Sequence, residues 1–99
     1  MLKIPANREK IAAFCKKHHI RKFAFFGSVL REDFGPESDV DVLVEFEKGH
    51  SVGFFGFFGM EQELTEIVGR KVDLNTAGFL SPYFRNEVLK EANYQYVTA

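Results

Sequence analysis

Cysteine is nearly absent from this chain: Cys15 stands alone among 99 residues. No intrachain disulfide and no thiolate metal cluster can form from it, which reads as an intracellular protein. Long apolar runs are missing too. No stretch approaches the roughly 20 apolar residues that cross a bilayer, and Met1-Leu2-Lys3-Ile4-Pro5 lacks the apolar run of a signal peptide. The expectation is a cytoplasmic chain with no membrane partner. An excess of one charge is also lacking, since 13 Lys and Arg against 14 Asp and Glu leave a net charge of -1. That balance offers no bulk attraction to nucleic acid, and no direct nucleic-acid partner is expected. The local patch Lys16-Lys17-His18-His19 with Arg21-Lys22 reads as the solvated end of a first helix, where cations complement the dipole. Repeats, low-complexity tracts and linkers are absent. A chain of 99 residues leaves no room for a catalytic domain beside a separate substrate domain, so residues 1–99 are expected to form one domain whose substrate is gripped elsewhere.

What is present is an apolar fraction of 45% that includes 12 phenylalanines, enough large rings to fill a core. The chain alternates between helical and extended patterns, which predicts an α+β or α/β fold. Asn7 caps a helix running to about His18, with Ile11, Phe14 and Cys15 inward. Phe23 to Phe26 is a short buried strand, and Gly27-Ser28 ends it and opens a brief helix that stops before Gly35-Pro36. From Asp39 to Phe46, Val40, Val42, Val44 and Phe46 share one strand face, and Asp39, Asp41, Leu43 and Glu45 the other. Phe57, Met60, Leu64 and Ile67 recur at helical spacing until Gly69 ends the second main helix. Lys71 to Asn75 is a third strand with Asp73 opposite Val72 and Leu74. Pro82 starts a last helix through about Glu91, and Tyr94 to Val97 forms an edge strand.

The chemistry lies in the carboxylates. Asp39 and Asp41, two apart in a strand, emerge on one face about 6 to 7 Å apart. Two anions there repel, and near a packed sheet this raises the pKa of at least one unless a cation neutralises both. Mg²⁺ does this well, because it takes oxygen ligands and is commonly held by one or two carboxylates plus substrate phosphates. Asp73, on a neighbouring strand with the right parity, completes a two-metal site or acts as base on an attacking hydroxyl. Taken alone, Asp-x-Asp is common by chance and reads more readily as solvated aspartates at strand ends than as a metal site.

Gly27-Ser28 strengthens the functional reading. A glycine at a strand end lets backbone approach a ligand, and the helix that follows offers N–H groups to phosphate. Ser28 either adds a hydroxyl to that cradle or simply caps the helix. Arg31 in the first turn opposes the helix dipole, so it answers either an anion such as a triphosphate or one of Glu32, Asp33 and Glu37.

The order Gly27-Ser28, Arg31, Ser38-Asp39-Val40-Asp41 and Asp73 resembles the nucleotidyltransferase superfamily of DNA polymerase beta, and within it the minimal nucleotidyltransferases. The resemblance covers about residues 8 to 92, including Gly69-Arg70-Lys71-Val72-Asp73-Leu74 as the third-aspartate strand. It implies a small mixed sheet flanked by helices, an ATP site and two Mg²⁺ ions. By motif position, Asp39, Asp41 and Asp73 are the catalytic and metal-binding carboxylates. Gly27, Ser28, Arg31 and Ser38 are expected to bind the nucleotide. Leu30 and Glu32 depart from the pattern, standing where the family commonly has alanine and glycine, and the larger Glu32 would narrow or recharge the mouth of the phosphate site.

The reaction so implied is attack of a hydroxyl on the α-phosphate of ATP. The resemblance also implies a partner, a HEPN-type toxin whose tyrosine receives AMP, with this chain as the antitoxin and a hetero- or homo-oligomer as the assembly. A non-catalytic antitoxin acting by binding alone is a rival, as is a transferase acting on a small molecule or an RNA end. Independently, Val52-Gly53-Phe54-Phe55-Gly56-Phe57-Phe58-Gly59 can bury Phe54, Phe57 and Phe58 on one helical face while leaving Phe55 poorly accommodated. An interface and a loosely wound core segment account for it equally. Tyr83, Tyr94 and Tyr96 read as packing or edge-strand residues rather than acceptors.

Overall fold

The computed structural model describes residues 7–31, 35, 37–50 and 52–98, apart from the side chains of Phe54 and Phe79. Helix α1 (Arg8–Lys17) begins where the Asn7 side chain accepts a hydrogen bond from the Lys10 N–H at 3.0 Å. Strand β1 (Ile20–Phe26) leads into a single 3-10 turn (Gly27–Leu30). Strand β2 (Val40–Phe46), helix α2 (Phe54–Val68) and strand β3 (Val72–Asn75) follow. Helix α3 (Arg85–Glu91) and strand β4 (Asn93–Val97) close the domain.

The four strands form one mixed sheet in the order β3-β2-β1-β4, with β1 antiparallel to both neighbours and β2 parallel to β3. Parallel neighbours require a crossover, and α2 supplies it. The β2 alternation places Val40, Val42 and Val44 against Ile11, Phe14 and Cys15 of α1 and Met60 and Leu64 of α2, all essentially buried. Phe14, Phe23 and Phe25 meet edge to face in that core, at centroid separations of 6.4 and 5.5 Å. Burial pushes the Cys15 thiol up to about 12, so it stays a neutral packing group. On the opposite sheet face, Phe26, Leu43 and Leu80 form a smaller cluster with Val88 of α3 packed against it. The mixed sheet flanked by helices is the expected fold.

Several element boundaries differ from the sequence reading. Strand β1 starts at Ile20 rather than Phe23, because pairing with β2 runs out to Phe46 through an irregularity between Ile20 and Lys22. That bulge hides Arg21 and Lys22 from the period-2 pattern. Asp39 precedes β2 instead of opening it, and Lys71 likewise precedes β3. The last helix begins at Arg85, not Pro82, because Ser81 gathers the intervening N–H groups into a turn. Its hydroxyl accepts from Tyr83 and its carbonyl from Phe84 and Arg85. The expectations for Met1–Pro5, Glu32, Asp33 and Pro36 lie outside the described residues.

The basic patch is matched by carboxylates. Lys17 and His18 pair with Glu63 of α2 at 3.2 and 3.0 Å, and Arg21 and Lys22 approach Glu45 at 3.2 and 3.8 Å. Phe57 packs on the core while Phe55 is 89% and Phe58 56% exposed, so burial of Phe58 does not occur and Phe55 stands on the surface. Tyr96 packs on the core, whereas Tyr83 is exposed in the turn before α3.

Candidate active site

The parallel register of β2 and β3 sets Asp41 directly beside Asp73. Both side chains lie on the sheet face away from α1 and α2, since Val40, Val42, Val72 and Leu74 take the core face. Asp39, exposed one residue ahead of β2, joins them at the same end of the sheet. Asp41 is half-buried, and its carboxyl is pushed up to about 6. The largest cause is burial, followed by the negative charges of Asp73 and Asp39, with Arg31 opposing. The repulsion expected from the sequence therefore falls on Asp41, and its larger part comes from Asp73 rather than Asp39.

Gly27 roofs this carboxylate. β1 ends at Phe26 opposite Asp41, and the chain turns at Gly27 with φ of 75°, a left-handed conformation that side chains disfavour. A Cβ on Gly27 would overlap Asp41 Oδ2. Ser28 and Val29 continue the turn, and Val29 is fully buried, anchoring it to the core. Ser28 does not cap the turn: Phe26 holds the cap position and no side chain bonds there. Arg31 follows, mostly exposed, with its guanidinium 4.0 Å from Glu91 of α3. That partner was not among the acids considered from the sequence.

The approach to Asp39 is held by residues that the sequence reading missed. Arg70 donates to the carbonyls of Gly35 at 2.6 Å and Ser38 at 3.1 Å. Ser38 itself closes the turn, its hydroxyl accepting from the Gly35 N–H at 3.1 Å and its own N–H donating to the Gly35 carbonyl. On β3, the outward N–H groups of Val72 and Leu74 donate to Thr65 Oγ1 and Glu61 Oε2 of α2. Edge donors are thereby satisfied, and the strand carrying Asp73 is pinned to the helix. In sequence Glu61 and Thr65 look like an ordinary solvated helix face and Arg70 like a surface cation after the helix end, and only the tertiary contacts give them a task.

Asp39, Asp41 and Asp73 converge, Gly27 makes room over Asp41, and Ser28 and Arg31 lie on the adjoining turn. Three carboxylates offering only oxygen, one of them half-buried among like charges, suit a hard divalent cation such as Mg²⁺. The same sheet face continues into a cavity of about 300 Å³ lined by Leu43, Glu45, Phe46, Thr76, Ala77 and Tyr94, among others. Among the described residues no helix is long and apolar enough to cross a membrane.

The nucleotidyltransferase domain family matches residues 8–94. The chain is similar to a putative protein adenylyltransferase of Methanocaldococcus jannaschii, 33% identical over 85 residues that cover 86% of this chain and 89% of the relative. It also resembles the structure of a putative minimal nucleotidyltransferase, with a TM-score of 0.70 and 33% identity over 86% of this chain and 85% of the other. A third likeness, at 18% identity and a TM-score of 0.66 over 92% of this chain and 70% of the other, extends to the fold. It is to a complex of a tri-AMPylated Shewanella oneidensis HEPN toxin with an MNT antitoxin.

Proposed function

This chain belongs to the nucleotidyltransferase domain family, and we propose that it acts as a protein adenylyltransferase, the antitoxin that modifies a HEPN-type toxin. The observation that carries the reading is the Asp41–Asp73 register pair with Gly27 packed over Asp41. The name of the M. jannaschii relative supports the activity, and the AMPylated toxin bound to an antitoxin of the same fold supports the partner.

In this proposal ATP lies along the turn from Gly27 to Arg31. The Gly27 and Ser28 backbone and the Ser28 hydroxyl cradle its phosphates, Ser38 flanks them, and the Arg31 guanidinium answers their charge. Asp39, Asp41 and Asp73 would hold two Mg²⁺ ions, which when bound supply positive charge to the reacting phosphate oxygens. The acceptor is a tyrosine hydroxyl of the partner. Asp73, the outermost of the paired acids, orients that hydroxyl and takes its proton as the phenolic oxygen bonds to the α-phosphorus. The bond from the α-phosphorus to the β-bridging oxygen breaks, and pyrophosphate leaves. Gly27 contributes by being absent as a side chain, which leaves the Asp41 carboxylate reachable from the phosphate side.

The partner supplies the acceptor and grips the transferase. Phe55 and Phe58, exposed on α2, are the aromatic surface offered to it. Residues 1–99 act as a single catalytic domain in the cytoplasm. Intact-mass spectrometry of a HEPN-type toxin from the same genome, after incubation with the chain, ATP and Mg²⁺, tests the proposal. Gains of whole AMP units that vanish with the Asp39→Asn, Asp41→Asn double variant are expected. An unmodified toxin that remains bound and inhibited would replace catalysis with neutralisation by binding alone.

A further inference from the structure

At the opposite end of the β1–β2 pair from the aspartates, three metal-ligating side chains meet: His19, Glu47 and His50, whose ligand atoms all lie within 4.8 Å of one another. His19 sits between α1 and β1, and Glu47 and His50 lie in the connection from β2 to α2. We propose that these residues form a binding site for one transition-metal ion of the Zn²⁺ class, separate from the carboxylate site and serving as a structural clip between the two connections.

The backbone assembles the trio. The Glu47 N–H donates to the His19 carbonyl at 2.8 Å, extending the β1–β2 ladder past its last pair. The His50 N–H then donates to the Glu47 carbonyl at 3.0 Å, and Gly49 with φ of 85° lets the intervening turn close. His50 is thus folded back onto His19, and the two imidazoles stack with centroids 3.9 Å apart and planes 8° from parallel. His19 Nδ1 lies 3.8 Å from Glu47 Oε1. His19 also has φ of 58°, alone among the described residues other than glycine in being left-handed. Just past the end of a helix this position is usually glycine, which adopts that conformation without strain. A histidine there directs an imidazole to the one place where Glu47 and His50 are also found.

The donor set selects the ion. Two imidazole nitrogens and one carboxylate suit Zn²⁺ and its neighbours, with a fourth position open to water, whereas Mg²⁺ takes oxygen ligands and would stay with the aspartates. Stacked rings aim their nitrogens along parallel planes, so binding requires the imidazoles to turn to other rotamers, for which the half-exposed His19 and Glu47 have room. The two sites are six strand residues apart, from Ile20 opposite Phe46 to Phe26 opposite Asp41, or roughly 20 Å. Occupancy of one leaves the ligands of the other untouched.

The test is calorimetric titration of chelator-stripped, tag-free protein with ZnCl₂, beside three variants. His19→Asn keeps a residue that tolerates the left-handed backbone while removing the imidazole, His50→Gln removes the second ring, and Asp41→Asn disturbs the carboxylate site alone. Wild type and Asp41→Asn should bind one equivalent with micromolar affinity and gain thermal stability with Zn²⁺. His19→Asn and His50→Gln should each bind at least about tenfold more weakly, since losing a ligand costs no less than losing a group that merely orients one, and show no thermal gain. Retention of wild-type Zn²⁺ affinity in both histidine variants would overturn the proposal, as would wild-type binding weaker than millimolar or its loss in Asp41→Asn.

Discussion

Gly27 lies against Asp41 so closely that a methyl group on its Cα would overlap the Asp41 Oδ2 and come 3.2 Å from Cγ. The strand end that opens the turn from Gly27 to Leu30 and the carboxylate at the centre of the acidic cluster are therefore one packed unit. A change at either is felt at the other.

Gly27→Ala meets two penalties. The left-handed φ of 75° costs a side-chained residue about 1 to 2 kcal/mol, and the methyl displaces the Asp41 carboxylate. Displacement of a reacting group by an ångström can cost about 100-fold in rate. The expected result is a folded protein, lower in melting temperature, whose rate of AMP transfer falls by about that factor. Transfer at the wild-type rate would show that Asp41 does not need the space above it.

Asp41 makes stability depend on pH. Its carboxyl, raised in the folded protein to about 6, holds its proton more tightly there than in the unfolded chain. The contribution therefore favours folding below the ordinary carboxylate range and is lost as pH rises from about 4 through about 6. Screening at a half-exposed group limits the loss to about 1 kcal/mol. In chelator, Asp41→Asn should lack this loss and melt about 4 to 8 °C above wild type at pH 7, while transferring no AMP. Mg²⁺ should raise the wild type alone and close the gap. Superimposable melting curves from pH 4 to 7 would contradict the electrostatic account.

Arg70 holds the Gly35 and Ser38 carbonyls, and with them the approach to Asp39. Arg70→Ala leaves those carbonyls without the guanidinium, at a cost of about 1 to 3 kcal/mol for charge-assisted hydrogen bonds. Lysine presents a compact ammonium rather than a planar fork and should restore little. Both variants should lose turnover more than they lose affinity for nucleotide. Equal kinetics in wild type and Arg70→Ala would show that the loop holds Asp39 unaided.

Phe55 is 89% exposed on α2, so replacing its ring should change stability by less than about 0.5 kcal/mol. An aromatic at the centre of an interface, by contrast, commonly carries 1 kcal/mol or more of binding. Phe55→Ser should melt as wild type does while binding the toxin about tenfold more weakly by calorimetry. Undiminished affinity would remove this face of α2 from the interface.

Much of this molecule was legible beforehand where periodicity and chemistry agree. Asn7 and Gly69 bracket helices by the side-chain cap and the left-handed turn that the residue types announce. Val40, Val42 and Val44 alternate with Asp41 so regularly that the buried and acidic faces of β2 follow from order alone. The polar lead-ins were less legible. Arg21 and Lys22 belong to β1 because a bulge and a partner strand enlist them, and Pro82 begins a turn because Ser81 captures the N–H groups after it. Both outcomes rest on hydrogen bonds that a local pattern does not encode.

The candidate site divides in the same way. The amino-acid order alone determined which residues carry groups suited to the proposed chemistry, because carboxylate, glycine and hydroxyl are intrinsic to the residue, and parity in an extended strand determined which face each occupies. Tertiary structure decided which of them meet. The parallel register sets Asp41 against Asp73, the end of β1 lays Gly27 over Asp41, and residues 28 and more positions apart, His19 with Glu47 and His50, close around one point. Proximity across strands and turns depends on register and chain reversal, which arise only when the core has closed, and no spacing along the chain can carry that information by itself.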